Sequence, residues 1–230
     1  MKYVVASSRD WFQKLDKSEN YKSLDVIEIS NKEDLTIEFL EEIQPRYIFF
    51  PHWNWIVPEK IFNNYECVVF HTAPLPYGRG GSPIQNLILN GYNKSPVNAL
   101  RMTDCLDGGP IYNSLEISLE GTIDQIFEKI AVVTEKLILS VISAEPIPKE
   151  QEGKIVTFKR LKREDNKLPL DVNANELFDR IRMVDGKDYP KAFIEHGPYT
   201  LEFFDAELCN SKLTAKVNII LKKTYWKVYS

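Results

Sequence analysis

Three short segments of the 230-residue chain hold the residue types and spacings that could do chemistry. The first runs Phe70-His71-Thr72-Ala73-Pro74-Leu75-Pro76-Tyr77-Gly78-Arg79-Gly80-Gly81-Ser82-Pro83 and follows the apolar run Cys67-Val68-Val69-Phe70. A strand ending at Phe70 would aim the His71 imidazole into the crevice that open α/β sheets form at the carboxyl ends of their strands. The glycines of this loop let a ligand approach the backbone closely, and Arg79 offers a cation. The second segment, Thr103 to Tyr112, carries Asp107 ahead of Gly108-Gly109-Pro110, just after the run Val97–Met102. If it lies at the same sheet edge as His71, its carboxylate would favour the imidazolium and fix its orientation. The third, Pro51-His52-Trp53-Asn54-Trp55-Ile56-Val57-Pro58, sets two tryptophans beside a polar side chain. They would form a flat slot for a fused ring or simply pack in the core. Each residue has an ordinary reading too: a histidine after a strand packs, an Asp before Gly turns the chain, and Arg79 is a solvated loop charge.

What must position these segments is an alternation of strands and helices. Tyr3–Ala6, Asp25–Ile29, Tyr47–Phe50, Cys67–Phe70 and Val97–Met102 are short continuous apolar runs, the pattern of strands buried on both faces of a mainly parallel sheet. Ser82-Pro83-Ile84-Gln85 predicts a helix start with a Ser cap and Pro at the first helical position, stopped by Asn90-Gly91. Thr122-Ile123-Asp124-Gln125 is a capping box opening a long amphipathic helix that Pro146 and Pro148 end. Pro146 to Gly153 reads as a boundary, dividing a catalytic domain (1–148) from a small α+β region (149–230). That region begins with the strand-like Ile155–Phe158 and a charged exposed loop, Lys159 to Asn166. Asn173-Ala174-Asn175-Glu176 is a third capping box, and Tyr199–Phe203 and Thr214–Ile220 alternate like hairpin strands.

Composition narrows the classes. A formal charge of −4 argues against a nucleic-acid-binding surface, which needs a basic field. Cys67, Cys105 and Cys209 form no CxxC pair, and His52, His71 and His196 show no ligand spacing, so no metal is expected. No apolar run is long enough to span a bilayer, and Met1-Lys2 leads into a strand rather than a signal peptide. The expectation is a soluble, reduced, cytoplasmic protein with no membrane partner.

The order His71, Leu75-Pro76, Arg79-Gly80, Ser82-Pro83-Ile84-Gln85, then Leu106-Asp107-Gly108-Gly109 resembles the formyltetrahydrofolate-dependent N-formyltransferase family over most of residues 1–145. The loop Leu75–Pro83 and the tail Glu176–Phe193 are especially similar to the bacterial sugar-nucleotide members, including those of the pseudaminic-acid branch that feed surface-polysaccharide biosynthesis. The resemblance implies a Rossmann-like fold with 10-formyltetrahydrofolate as cosubstrate. The acceptor it implies is the amine of a nucleotide-linked amino sugar rather than a nucleic acid. His71 and Asp107 match the family's catalytic His and Asp. His71 would stabilise the oxyanion formed when the amine attacks the formyl carbon, and Asp107 would orient it and take the proton. Val69 stands where the family has Asn, and Ala73 where it has Ser, so Asn54 or a backbone amide is expected to supply the lost oxyanion donor. Trp53, Trp55, Ile56, Leu106 and Gly108 are the candidates for holding folate, and Tyr77, Arg79, Gly80, Gly81 and Arg182 for holding the acceptor. Hydrolysis of formyltetrahydrofolate, or non-catalytic folate or nucleotide binding, are the alternatives. The hairpin from Phe203 to Ile220 could pair two subunits into a homodimer, although an intrachain sheet is the simpler expectation.

Overall fold

The computed structural model describes residues 1–222. Its first part carries strands β1 (Lys2–Ser7), β2 (Asp25–Ile29), β3 (Tyr47–His52), β4 (Cys67–Thr72), β5 (Tyr77–Gly80), β6 (Lys94–Arg101) and β7 (Ile111–Ser118). Between them lie helices α1 (Asp10–Gln13), α2 (Glu19–Lys22), α3 (Ile37–Ile43), α4 (Glu59–Asn64) and α5 (Pro83–Leu89), followed by α6 (Ile123–Ala144). The C-terminal part adds β8 (Val156–Phe158), α7 (Ala174–Arg182), β9 (Ala192–His196), β10 (Tyr199–Cys209) and β11 (Lys212–Leu221). Six strands form one sheet in the order β2-β1-β3-β4-β6-β7. The first four are parallel, as their continuous apolar runs predict.

Alternation along these strands feeds two apolar layers. Val4 and Ala6 of β1, with Ile48 and Phe50 of β3, face Leu40 of α3 and Ile61 of α4. Tyr3, Val5, Tyr47 and Phe49 point the other way, into the core that α6 closes with Ile123, Ile126, Leu137, Ile138 and Val141. Covering both faces is what makes the runs continuous rather than alternating.

Two departures from the sequence reading matter for the site. Strand β6 is antiparallel to β4, pairing Val68 with Arg101 and Thr72 with Val97. Its C-terminal end therefore lies at the opposite end of the sheet from His71, and the loop after it must fold back to bring Asp107 near. Strand β7, antiparallel to β6, was not legible as a strand because it lies at the sheet edge, where its exposed residues interrupt the apolar pattern. In addition, β4 runs on to Thr72, so His71 is a strand residue opposite Asn98 rather than the first residue of a loop.

The C-terminal region joins the same core. β8 pairs with β5 in parallel, and Phe158, Leu168, Ile181, Met183, Val184 and Ala192 extend the layer under α6. The stretch from Lys159 to Asn166 is mostly exposed, as expected, but its start is tied down over α5 and its end forms a 3-10 turn, Arg163–Asn166. Asn86 Nδ2 donates to the Lys159 carbonyl (3.0 Å), and the Leu161 amide donates to Ser82 Oγ (3.0 Å). Ser82 thus occupies the N-cap position of α5 but its side chain caps none of the helix amides. It sits in the left-handed region (φ 50°) and spends its hydroxyl on Leu161. Gly81 is required at this crossing, since a Cβ there would lie 2.7 Å from Arg160 Cα.

Of the other caps, the Thr122 box is complete, whereas the Asn173 box is only half made because the Glu176 carboxylate accepts from Arg180. Thr122 Oγ1 accepts from the Gln125 amide while Gln125 Oε1 accepts from the Thr122 amide (2.9 Å), and Asn173 accepts from the Glu176 amide (3.0 Å). β9, β10 and β11 form a separate antiparallel sheet against which α7 packs. Among the described residues, no helix is long and apolar enough to cross a membrane. Because α6 closes the larger core, Thr122→Ala should lower stability by about 1 kcal/mol and Tm by roughly 2–4 °C. Thermal denaturation followed by circular dichroism measures this; an unchanged Tm would show that α6 is fixed by packing alone.

Candidate active site

The cleft opens where β1, β3 and β4 end, at the switch point between β1 and β3. Here the Ser8 amide donates to the His52 carbonyl (2.8 Å), and β4 presents His71. His71 is 7% exposed, so its imidazole must find partners within the protein. Nε2 lies 2.7 Å from the Gly78 carbonyl, which can only accept, so Nε2 carries a proton. Nδ1 faces Asp107 Oδ2 at 3.4 Å. Both nitrogens thus face acceptors, and the longer Nδ1 contact is the one a third group could share. Asn98, buried across the strand pair, donates to the carbonyls of His71 (3.1 Å) and Ala73 (2.7 Å) and accepts from Ser114 Oγ (2.6 Å). It fixes the backbone that carries the imidazole.

Asp107 reaches His71 because the chain after β6 doubles back. Gly109 crosses the Arg101 carbonyl so closely that a Cβ would stand 1.9 Å from that oxygen, and only glycine fits. Asp107 takes the left-handed conformation (φ 51°), and its Oδ2 also accepts from the Gly80 amide (2.9 Å). The two segments singled out in the sequence therefore meet, although β6 leaves the sheet at the far end.

Two cavities converge on this pair. One, of about 790 Å³, is lined by Trp53, Trp55, Ile56, Val69, Gly80, Gly81, Leu106 and Asp107, among others. The other, of about 470 Å³, is lined by Arg9, Trp11, Phe127, Lys162, Asn166 and Tyr189, among others. Pro51, His52, Asn54, Phe70, His71 and Arg160 line both. The larger cavity has an apolar rim, with Ile56 95% and Leu106 72% exposed. Trp53 and Trp55 meet edge to face (centroids 4.8 Å apart, planes at 74°), so they do not make the parallel-walled slot considered from sequence.

Several expected site residues lie elsewhere. Tyr77 lines neither cavity and packs its ring against Phe158 (5.2 Å) and Tyr92 (5.8 Å). The Arg79 guanidinium is engaged by Gln151 Oε1 (2.8 and 3.1 Å) and approaches Cys105 Sγ (3.6 Å). Gly108 packs its α-carbon against Cys105, and Gly109 lines the cavity instead. Arg182 is buried, donating to the carbonyls of Leu119 (2.5 Å) and Gly121 (2.9 Å) and pairing with Asp179 (2.6 Å). Its charge holds the loop before α6, so it is not free to bind phosphate.

Sequence reading missed His52, Arg160 and Lys162. The two cations were hidden in a charged stretch that gives no sign of folding over the cleft. Burial holds the His52 imidazole well below the ordinary histidine value, at about 4, and nearby Arg9 adds to this while Asn54 opposes it. Among the described residues no group of three or more His, Cys, Asp or Glu is placed to hold a metal ion.

Comparison with known proteins fits this geometry. A family model described as formyl transferase matches residues 5–142, and one described as methionyl-tRNA formyltransferase, C-terminal domain, matches residues 163–220. A methionyl-tRNA formyltransferase of Campylobacter jejuni is 33% identical over 211 residues, covering 89% of this chain and 67% of that protein. A solved structure titled methionyl-tRNA formyltransferase from Clostridium thermocellum is 38% identical with a TM-score of 0.88, covering 96% of this chain and 99% of that one. A sugar N-formyltransferase from a Shewanella species superimposes with a TM-score of 0.68 at 17% identity, covering 91% and 99%, which shows a shared fold.

The His52 environment sets a pH dependence. Its pKa is about 4 folded and about 6.5 unfolded, so between these values the unfolded chain binds more protons. Stability is unaffected by this group above pH 6.5 and falls as pH drops from 6.5 toward 4, by roughly 2 kcal/mol after allowing for partial exposure. Urea denaturation from pH 7 to pH 4.5 should show that slope in the native protein and a flatter profile in His52→Gln. Equal slopes would place the effect elsewhere.

Proposed function

The chain belongs to the formyl transferase family, and we propose that it moves the formyl group of 10-formyltetrahydrofolate onto the amine of a nucleotide-linked amino sugar. Formyl transfer and the folate donor come with the family. The observation that carries the acceptor reading is the meeting of two cavities at His71, one rimmed with apolar residues and one bearing cations.

The larger cavity suits the fused ring of the folate, with Trp53, Trp55, Ile56 and Leu106 against its apolar surface; Gly80 and Gly81, expected on the acceptor side, line this cavity instead. The smaller suits a nucleotide sugar: Arg160 and Lys162 face it without an ion-pair partner among the described residues, and Trp11, Phe127 and Tyr189 offer aromatic surface. At about 470 Å³ it is of small-molecule size.

In the reaction the neutral amine attacks the formyl carbon, a C–N bond forms and the formyl oxygen becomes an oxyanion. His71 Nδ1–H is the donor for that oxygen, with Asn54 contributing from the wall that Val69 leaves apolar. Asp107 takes the proton lost by the attacking nitrogen. The adduct then collapses: the C=O re-forms, the bond to the folate nitrogen breaks, and Asp107 returns its proton to that nitrogen as it leaves.

Methionyl-tRNA is the second reading, favoured by the match of residues 163–220 to a methionyl-tRNA formyltransferase C-terminal domain. The chain spans about two thirds of the length of its Campylobacter relatives. Against this reading, several C-terminal cations among the described residues are held in ion pairs: Arg163 with Glu202, Lys167 and Lys222 with Glu195, Lys191 with Asp185 and Lys216 with Asp205. Binding to a phosphate backbone draws on unpaired Lys and Arg.

Incubation with 10-formyltetrahydrofolate plus either a panel of nucleotide amino sugars or methionyl-tRNA, with release of tetrahydrofolate as the readout, separates the two. Sugar-dependent release is expected; release only with methionyl-tRNA, or without any acceptor, overturns the sugar assignment. With the sugar that reacts, His71→Asn and Asp107→Asn should each lower kcat by about 10²–10³ while the protein stays folded and binds folate. Asn54→Ala should lower kcat by at least tenfold, and a near-normal value would remove Asn54 from the oxyanion role.

A further inference from the structure

Gln151 lies in the segment between α6 and β8, where the chain has only an isolated bridge from Lys149 to Ile111. That bridge, with the Ile111 amide donating to Lys149 O (2.7 Å) and the return bond at 2.9 Å, anchors the segment two residues before Gln151. The Gln151 carboxamide then uses both of its ends. Nε2 donates to the carbonyls of Asp107 (2.8 Å) and Gly109 (2.9 Å), and Oε1 accepts from Arg79 Nε (3.1 Å) and Nη2 (2.8 Å). Arg79 is the chain neighbour of Gly80, whose amide donates to Asp107 Oδ2 (2.9 Å).

These bonds close a ring. Gln151 holds the backbone of Asp107 on one side and, through Arg79, the strand that holds the Asp107 carboxylate on the other. Asp107 sits in the left-handed region between a fold-back loop and two glycines, so its own turn offers little to fix it. The Cys105–Gly108 bond (2.9 Å) closes that turn but does not set its height above His71.

We infer that Gln151 is a positioning residue for formyl transfer, setting the Asp107 carboxylate against His71 Nδ1 and Gly80. The inference rests on the reading of Asp107 as a catalytic residue. A primary amide is the side chain for this task, because it presents two donors to the carbonyls and an acceptor to the guanidinium at once. Glutamate would keep the Arg79 contact and face the two carbonyls with no proton to give.

The test uses the full chain with 10-formyltetrahydrofolate and the acceptor that reacts. Gln151→Glu and Gln151→Met should each lower kcat by about tenfold or more, with KM for 10-formyltetrahydrofolate changed less than about twofold, since misplacing a catalytic group costs rate rather than donor binding. In an Asp107→Asn background the same substitutions should cost almost nothing further, because sites coupled through one network are not additive. A spectroscopic readout needs no acceptor: the Gly80 amide proton, shifted downfield by its carboxylate partner, should move upfield in both Gln151 variants toward its position in Asp107→Asn. Gln151→Glu, which retains the Arg79 partner, decides the matter if Gln151→Met does not fold. Native kcat in Gln151→Glu, or an equal loss with and without Asp107, overturns the inference. If Asp107→Asn is itself fully active, the catalytic reading of Asp107 fails instead, while the Gly80 resonance still reports whether Gln151 holds the carboxylate.

Discussion

A buried imidazole cannot stand without partners, and the cleft is organised around that constraint. His71 sits within a strand, enclosed by the sheet and the loop beyond it, and its two nitrogens are met by the Gly78 carbonyl and the Asp107 carboxylate. Meeting both requires two turns of chain to arrive from different directions. The first comes from the residues just after β4, which loop back to place Gly78 over the ring. The second comes from beyond β6, which leaves the sheet at its other end. Asn98, on the strand between, anchors the His71 backbone and is itself held by Ser114 of β7. The antiparallel strands β6 and β7 are thus part of the site's support.

Glycine is used sparingly and where contact demands it. Gly109 lets the returning loop pass the Arg101 carbonyl, and Gly81 lets the segment after β8 cross the entry to α5. Both crossings bring a charged group to the cleft: Asp107 through the first and Arg160 through the second. The residues whose charge seemed available, Arg79 and Arg182, are instead consumed in holding loops, because a guanidinium with several carbonyl or carboxamide partners is a better brace than a ligand.

The division of the cleft follows from the same arrangement. His71, His52, Asn54 and Arg160 form the wall common to both cavities, so a group held in one is presented to a group held in the other across the imidazole. A transfer enzyme needs that geometry, since two reactants must meet with their reacting atoms aligned. The low pKa of His52, set by burial, keeps its imidazole on that shared wall neutral at neutral pH.

Much of this was legible in the residues themselves. The parallel strands and the capped helix α6 are written in continuous apolar runs and in the Thr122–Gln125 box, which act locally and need no knowledge of the rest of the chain. His71 and Asp107 stood out because their loops carry Gly and Pro at the positions that turns require. What the residues could not show is which ends of the strands coincide. The direction of β6, the edge strand β7 and the path of Lys159 to Asn166 are set by contacts between segments far apart in the chain. So are the partners of Arg79, Tyr77 and Arg182, which decided whether each was a ligand or a brace. A side chain's type fixes what it can bond to, and the tertiary structure alone decides which of those bonds is already made.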